Sequence, residues 1–202
     1  MFVNYDFLTS KIITHELFLT FLVAFLLSFA VYAEEEKVVH LIADENINKY
    51  LDKVSEIEMT RGPHDEAIVE NLVSLSKIYK DQGEHIKRLE ILKQALHIHR
   101  INNGLESRDQ LLIVEEIISA NTTLKSWMAL DENYEYYYWV NRRVHGTNSL
   151  DLLPALNRFM EWKLDVLKRG LFGHPAIINH QATELLRKIR KIRSLNNIED
   201  SK

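Results

Sequence analysis

The glycine residues of this chain are few and regularly spaced. The sequence has 202 residues and six glycines, and Gly62, Gly104 and Gly146 lie 42 residues apart. Gly83 lies midway between the first two. A shift of 42 residues also superimposes apolar positions: Leu72, Val114 and Leu156, then Leu75, Ile117 and Phe159. A fixed period of this length is typical of repeat architectures in which each unit is one supersecondary element.

Each unit is predicted to contain two helices. In the first unit, one apolar stripe recurs at helical spacing, through Ile68, Leu72, Leu75 and Tyr79. Asp65 is the predicted N-cap, because its carboxylate can accept a free backbone N–H group. Gly83 can adopt the left-handed conformation that ends a helix. A second stripe follows, through Ile86, Leu89, Leu92 and Leu96.

Composition supports a helical fold. Six glycines and three prolines in 202 residues are low against average usage of ~7% and ~5%. Sandwiches and barrels need a turn every few residues and usually contain more of both. We therefore predict an all-α fold, an α-solenoid of stacked antiparallel helix pairs with capping helices. The predicted units cover residues 61–102, 103–144 and 145–170, with a capping helix in 34–60 and a basic amphipathic helix and tail in 171–202.

The N-terminus has a different character. Residues 17–33 carry no charge, and an acidic run begins at Glu34. An apolar segment with small residues at Val31 and Ala33 indicates a signal peptide, residues 1–33, cleaved after Ala33. The same segment allows an uncleaved membrane anchor or, as a third alternative, a buried core helix. A signal or an anchor would place the rest of the chain outside the cytoplasm.

The first unit resembles a known repeat. The match to the tetratricopeptide repeat (TPR) lies at Leu72, Leu75, Ser76, Tyr79, Gly83, Leu92, Ala95 and Leu96. The 42-residue step resembles a longer variant with an extended loop between helix pairs. Residues 95–105 and 138–146 are also similar to uncharacterised secreted TPR proteins of proteobacteria. The resemblance covers roughly residues 56–168. It departs at Arg88, where the family prefers a small residue, and at Lys125, where the position of Gly83 predicts glycine.

The resemblance implies a protein-interaction scaffold without catalysis. The family binds peptides or partner helices in a groove lined by the first helix of each pair. Together with the predicted export, this implies a role in the bacterial envelope, in the periplasm or associated with the membrane. The partner itself is not identified. Carried over by position, the groove candidates are Glu70, Lys77, Lys80, Glu115, Ser119, Thr122, Asn157 and Glu161. The alternative for each is a solvated helix face.

The residues give little indication of chemistry. The absence of cysteine excludes disulfides, thiol nucleophiles and cysteine-based metal sites. His97 and His99 point about 200° apart on a helix and cannot share a metal, and the sequence contains no HExxH, P-loop or GxSxG motif. A net charge of −4 argues against nucleic acid as a partner. We predict no catalytic residue, metal or cofactor. A hydrolase with converging His and Glu residues remains the alternative from another class.

Two further surfaces are candidates for binding. Tyr136 and Trp139 lie away from the predicted apolar face of their helix and could stack on a sugar strand or a peptide. The C-terminal helix is basic and amphipathic and could meet anionic lipid or an acidic partner through Arg187, Lys188, Arg190, Lys191 and Arg193. Combined with an uncleaved segment 17–33, it would suit a membrane-tethered assembly factor. The alternative for this helix is a cap with a charged outer face.

Overall fold

The computed structural model describes residues 44–197. The predicted signal peptide or anchor, residues 1–33, lies outside the described residues. So do residues 34–43, where the predicted N-terminal capping helix begins, and residues 198–202 of the predicted tail.

Regular structure within residues 44–197 is entirely helical, which confirms the predicted all-α class. The first described helix, α1, covers residues 44–61. The others are α2 (Ala67–Asp81), α3 (His85–Asn103), α4 (Gln110–Thr123), α5 (Trp127–His145), α6 (Leu153–Arg169) and α7 (Pro175–Leu195), with one 3₁₀ turn at Leu150–Leu152.

The helices α2 to α7 pack in chain order. The main contacts join α2 to α3, α3 to α4, α4 to α5, α5 to α6, and α6 to α7. Two short turns make α2–α3 and α4–α5 antiparallel pairs, and α7 packs on α6 as the second member of a third pair. This is the arrangement of an α-solenoid, in which each unit buries its apolar face against the next. The predicted solenoid is therefore confirmed.

The buried face of α6 agrees with its apolar stripe except at one position. Helical spacing predicts a stripe through Leu153, Leu156, Met160, Leu164 and Leu167. Leu156 is buried and Leu153, Met160 and Leu167 are half-buried, but Leu164 is exposed. Phe159 and Trp162 are buried on the same helix. Trp162 faces α5, where its Nε1 donates to Asp131 Oδ1 at 2.8 Å. A polar contact to the neighbouring helix thus fixes the orientation of this side of α6.

The turns inside the first two pairs have the same backbone geometry. Gly83 has φ +74° and Lys125 has φ +54°. In each turn the following residue donates its N–H to the carbonyl five positions back, at 2.8 Å and 3.0 Å. Lys125 therefore adopts the left-handed conformation expected of glycine at this repeat position. The departure in sequence is not a departure in structure.

The loops between pairs also repeat. Gly104 and Gly146 end α3 and α5 with φ/ψ of 78°/171° and 88°/165°. These values lie in a region that residues with a Cβ atom rarely adopt. Asp65 Oδ1 accepts the Ala67 N–H at 2.9 Å, as predicted. Ser149, two repeats later, accepts the Asp151 N–H at 3.2 Å. The 42-residue period thus describes the backbone as well as the sequence.

Candidate functional site

A groove of about 760 Å³ lies between α2 and α4, the first helices of two successive pairs. Three of the eight predicted groove residues line it together, namely Glu70 and Lys77 from α2 and Glu115 from α4. Glu70 and Lys77 are seven residues apart, so they lie two turns apart on one face of α2. The stack of repeats creates this surface, because neither helix forms it alone.

The groove combines apolar and acidic residues. Its apolar part includes Val69, Val73 and Ile113, together with Leu112, which is 72% exposed. The acidic lining residues are Glu66, Glu70, Asp109, Glu115 and Glu116, against a single lysine, Lys77. A large exposed aliphatic side chain among carboxylates suits an amphipathic ligand better than an apolar one.

Part of this acidic charge is neutralised by the protein. Glu116 Oε2 pairs with Arg88 Nη2 at 2.5 Å. Glu66 Oε1 has a polar contact, a hydrogen bond to His99 Nδ1 at 2.8 Å. In contrast, Glu70 and Asp109 have no ion pair within residues 44–197, and neither has Lys77. These three charges are therefore available to a partner.

Glu115 belongs to a polar cluster that joins three helices. Its Oε1 accepts from Tyr137 Oη and from Arg158 Nη1, each at 2.7 Å. Burial raises the pKa of Tyr137 above its ordinary value, and the hydrogen bond to Glu115 and its charge raise it further. Burial acts to lower the pKa of Arg158, but the Tyr137 and Glu115 oxygens raise it overall. Glu115 thus connects α4 to α5 and α6 in addition to lining the groove.

His99 connects two segments at one end of the groove. Its Nδ1 lies 2.8 Å from Glu66 Oε1, and its Nε2 lies 3.0 Å from Ser107 Oγ. A carboxylate only accepts, so Nδ1 donates to Glu66, and Nε2 shares a hydrogen bond with the Ser107 hydroxyl. Ser107 occupies the repeat position of Asp65 and Ser149, which cap the following helices.

The hydrolase alternative depends on such a convergence of titratable groups. A carboxylate, an imidazole and a hydroxyl do meet here in the order used by acyl-transfer enzymes. However, Glu66 and His99 line the groove whereas Ser107 is not among its lining residues. His99 is only 5% exposed. His99 of α3 therefore connects Glu66, just before α2, with Ser107, in the loop before α4.

The remaining predicted groove residues are dispersed. Thr122 and Glu161 line a second, smaller groove of about 300 Å³ beside α6. Lys80 is exposed, and Ser119 and Asn157 are half-buried. None of these last three lines either groove as the described residues define them. The structure thus separates the eight predicted residues into a group of three, a pair and three isolated positions.

Tyr136 and Trp139 stack on each other, with ring centroids 5.7 Å apart and planes 20° apart. The Arg100 guanidinium lies 4.3 Å from the Tyr136 ring centroid. Tyr136 Oη donates to Gln110 Oε1 at 2.6 Å. Both rings are half-buried, and their contacts join α5 to α3 and α4. A role in ligand stacking stays a prediction for the parts of these rings that remain accessible.

The five basic residues predicted on α7 differ in their surroundings. Arg187 pairs with Glu184, Arg190 is exposed, and Arg193 is half-buried. Lys188 and Lys191 line a pocket that also contains Arg142 of α5. The sequence distinguishes Arg142 from other arginines only by its position, 42 residues after Arg100.

Two further features are absent from residues 44–197. No group of three or more His, Cys, Asp or Glu side chains could hold a metal ion in this part of the chain. Within the same range, no helix is long and apolar enough to cross a membrane.

No protein-family model matches the chain, and no curated protein matches it. Among solved structures, the chain is similar to TPR-like repeats of a putative kinesin light chain from Podosopora anserina, with 15% identity, a TM-score of 0.48 and coverage of 78% of this chain and 90% of that one. It is also similar to BtubC (BKLC) from P. vanneervenii, with 15% identity, a TM-score of 0.46 and coverage of 81% and 82%. The solenoid assignment rests on the contacts between successive helices.

Proposed function

We propose that this protein is a non-catalytic protein-interaction scaffold that binds a partner segment in the groove between α2 and α4. One observation carries the proposal: Glu70 and Asp109, two carboxylates without an ion pair in residues 44–197, share a groove with the exposed side chain of Leu112. Exposed apolar surface bordered by polar groups is typical of interaction sites.

The groove favours a partner segment with aliphatic and basic side chains. Aliphatic side chains would cover Leu112 and its apolar neighbours, and lysine or arginine would meet Glu70 and Asp109. Lys77 lies two turns from Glu70 along α2 and supplies one positive charge. This asymmetry gives the segment a preferred direction, with an acidic residue or a terminal carboxylate beside Lys77.

We also propose that the scaffold acts outside the cytoplasm, in the bacterial envelope. Support for this location comes from the uncharged segment 17–33 and the acidic start at Glu34. N-terminal sequencing of the protein from envelope fractions tests it. A chain that starts at Glu34 supports the cleaved signal, whereas an intact N-terminus in the membrane fraction favours the membrane-tethered assembly factor. An intact chain in the cytoplasm would contradict both.

The partner chemistry is testable with defined peptides. We would measure, by fluorescence anisotropy, the binding of amphipathic helical peptides that have one apolar face and either lysine or glutamate on the other. The lysine peptide is expected to bind more tightly. Glu70→Lys should weaken it about fivefold, since exposed ion pairs contribute about 0.2–1 kcal/mol and reversal replaces attraction by repulsion.

Glu90→Lys is the matched control. Glu90 is an exposed carboxylate on α3 that does not line the groove. Its reversal changes the net charge of the protein by the same amount as Glu70→Lys. Equal binding of the two peptides, or equal losses in Glu70→Lys and Glu90→Lys, would contradict the groove assignment. Circular dichroism should show that both variants keep the wild-type helix content.

A further inference from the structure

Three cations line a pocket in the later repeats, whereas the groove lies in the first two. The pocket has a volume of about 240 Å³ and lies between the end of α5, the loop after it and α7. Arg142 comes from α5, and Lys188 and Lys191 come from α7. The two lysines are three residues apart and therefore project from one face of α7. No acidic residue is among those that line the pocket.

Several other arginines in residues 44–197 form ion pairs, but these three cations do not. Arg158, Arg169 and Arg187 each contact a carboxylate. In contrast, Arg142, Lys188 and Lys191 have no ion pair with any residue in 44–197.

The aromatic ring of Tyr138 lies beside two of the three cations. The Arg142 guanidinium lies 5.9 Å from its centroid, and Lys188 Nζ lies 5.2 Å from it. Lys188 and Lys191 are exposed, so water solvates their charges, and no carboxylate among the lining residues offsets the three cations.

Helix dipoles account for only one of the three. Arg142 lies in the last turn of α5, where a cation offsets the partial negative charge of the helix end. Lys188 and Lys191 precede the last turn of α7, which contains Arg193. Since the dipole effect falls off within the last turn, it does not act on the two lysines.

We propose that this pocket binds the phosphate group of a phosphate ester. Such a group carries about −1.5 to −2 charges at pH 7, which matches three cations better than the single charge of a carboxylate. Arg142 supplies a planar set of N–H donors, and the lysines supply two mobile ones. Thr147 and Asn148 also line the pocket and bring neutral polar groups.

The pocket also has an apolar part. Leu152, Leu156 and Ile192 belong to its lining but are at most 2% exposed. The ring of half-buried Tyr138 and the aliphatic stems of Lys188 and Lys191 supply the apolar surface that a ligand can reach. They can contact the carbon atoms that a phosphate ester carries and inorganic phosphate does not. We therefore expect glycerol 3-phosphate to bind more tightly than inorganic phosphate. The site is separate from the groove between α2 and α4, so either proposal can fail without the other.

The experiment uses the full chain at constant ionic strength. We would follow the amide signals of Thr147 and Asn148 by NMR during titration with inorganic phosphate and then with glycerol 3-phosphate. Saturable shifts are expected. Lys191→Gln should weaken binding about tenfold, the loss expected for one charge-assisted hydrogen bond.

Arg190→Gln is the matched control, because it removes the same charge from the same helix at an exposed position outside the pocket. A change of less than about twofold is expected there, since exposed charges at a distance are screened by salt. Shifts that do not saturate, or equal losses in the two variants, would overturn the proposal.

A second arm identifies the source of the phosphate. Sedimentation with phosphatidylcholine vesicles, with and without phosphatidic acid, is measured for the same two variants. Binding that requires phosphatidic acid and is lost only in Lys191→Gln indicates a lipid headgroup. Saturable binding of glycerol 3-phosphate without vesicle binding indicates a soluble ester. Vesicle binding that falls equally in both variants, without saturable binding of either phosphate, would overturn the site.

Discussion

Arg88 Nη2 lies 2.5 Å from Glu116 Oε2 and also donates to the Glu116 backbone oxygen at 3.3 Å. Arg88 is 1% exposed, whereas the Glu116 side chain is 35% exposed. The contact joins α3 to α4 and thereby the first helix pair to the second. A position that the TPR resemblance assigns to a small residue is thus filled by a guanidinium whose charge is met by the next unit.

Glu116→Ala should destabilise the protein more than Arg88→Met. The first change leaves a buried guanidinium without its carboxylate, and breaking such a pair costs about 3–5 kcal/mol. The second change leaves a carboxylate that is one-third exposed and fills the space with an apolar side chain. Urea unfolding followed by circular dichroism measures both. Equal or reversed losses would contradict the importance of this pair.

Lys125→Gly should stabilise the protein by about 1 kcal/mol. Lys125 has φ +54°, a conformation that costs a residue with a Cβ atom roughly 1–2 kcal/mol and that glycine adopts freely. Gly83→Lys at the equivalent turn is the reciprocal variant and should destabilise. Thermal unfolding of both variants tests the repeat equivalence of the two turns. A lower midpoint for Lys125→Gly would refute it.

Ser107→Ala should cost about 1–2 kcal/mol of unfolding free energy, because buried His99 Nε2 would lose its hydrogen-bond partner. Ser149→Ala is the control at the same repeat position. Its hydroxyl caps an exposed turn at 3.2 Å, so its loss should cost less. In a double-mutant cycle, Ser107→Ala and His99→Ala should also be non-additive. Additive losses would show that the two side chains do not interact in solution.

Stability should fall as pH rises above about 10, the ordinary pKa of tyrosine. Burial and Glu115 raise the pKa of Tyr137, and burial raises the pKa of Tyr134. A pKa that is higher in the folded state means that folding favours the protonated phenol, so its contribution is present below pH 10 and is lost as pH rises through the folded pKa. Urea midpoints between pH 8 and 11 measure this loss.

Tyr137→Phe should show a shallower decline over the same pH range, since it removes one of the two phenols whose pKa is raised within residues 44–197. Spectrophotometric titration at the tyrosinate band provides an independent readout, because the variant should lose one group that titrates late. A decline of unchanged slope would mean that Tyr137 ionises equally easily in the folded and unfolded chain.

The period of the glycines predicted most of the fold. Gly104 and Gly146 mark loops because their backbone angles exclude most other residues, and that constraint is visible in the sequence. The left-handed turn at Lys125 is harder to predict, because a residue with a Cβ atom does not indicate this conformation as glycine does. The burial of Trp162 is not predictable from the stripe of α6, because Trp162 bonds to Asp131, a partner 31 residues away.

The candidate site was predictable only in part. Glu70, Lys77 and Glu115 were found because the first helices of successive units face one groove. Which carboxylates remain unpaired was not predictable, since Arg88 and Arg158 reach Glu116 and Glu115 from other helices. The pocket of Arg142 was also missed, because a pattern read along one helix does not show which residues of two helices converge.

The contacts of α2 to α7 run from each helix to the next along the chain. No main contact between these helices therefore requires remote parts of the chain to find each other, and the entropy lost in closing each loop is small. Proteins dominated by such local contacts fold in microseconds to milliseconds. A chain of this design can form its first units while the later ones are still being synthesised.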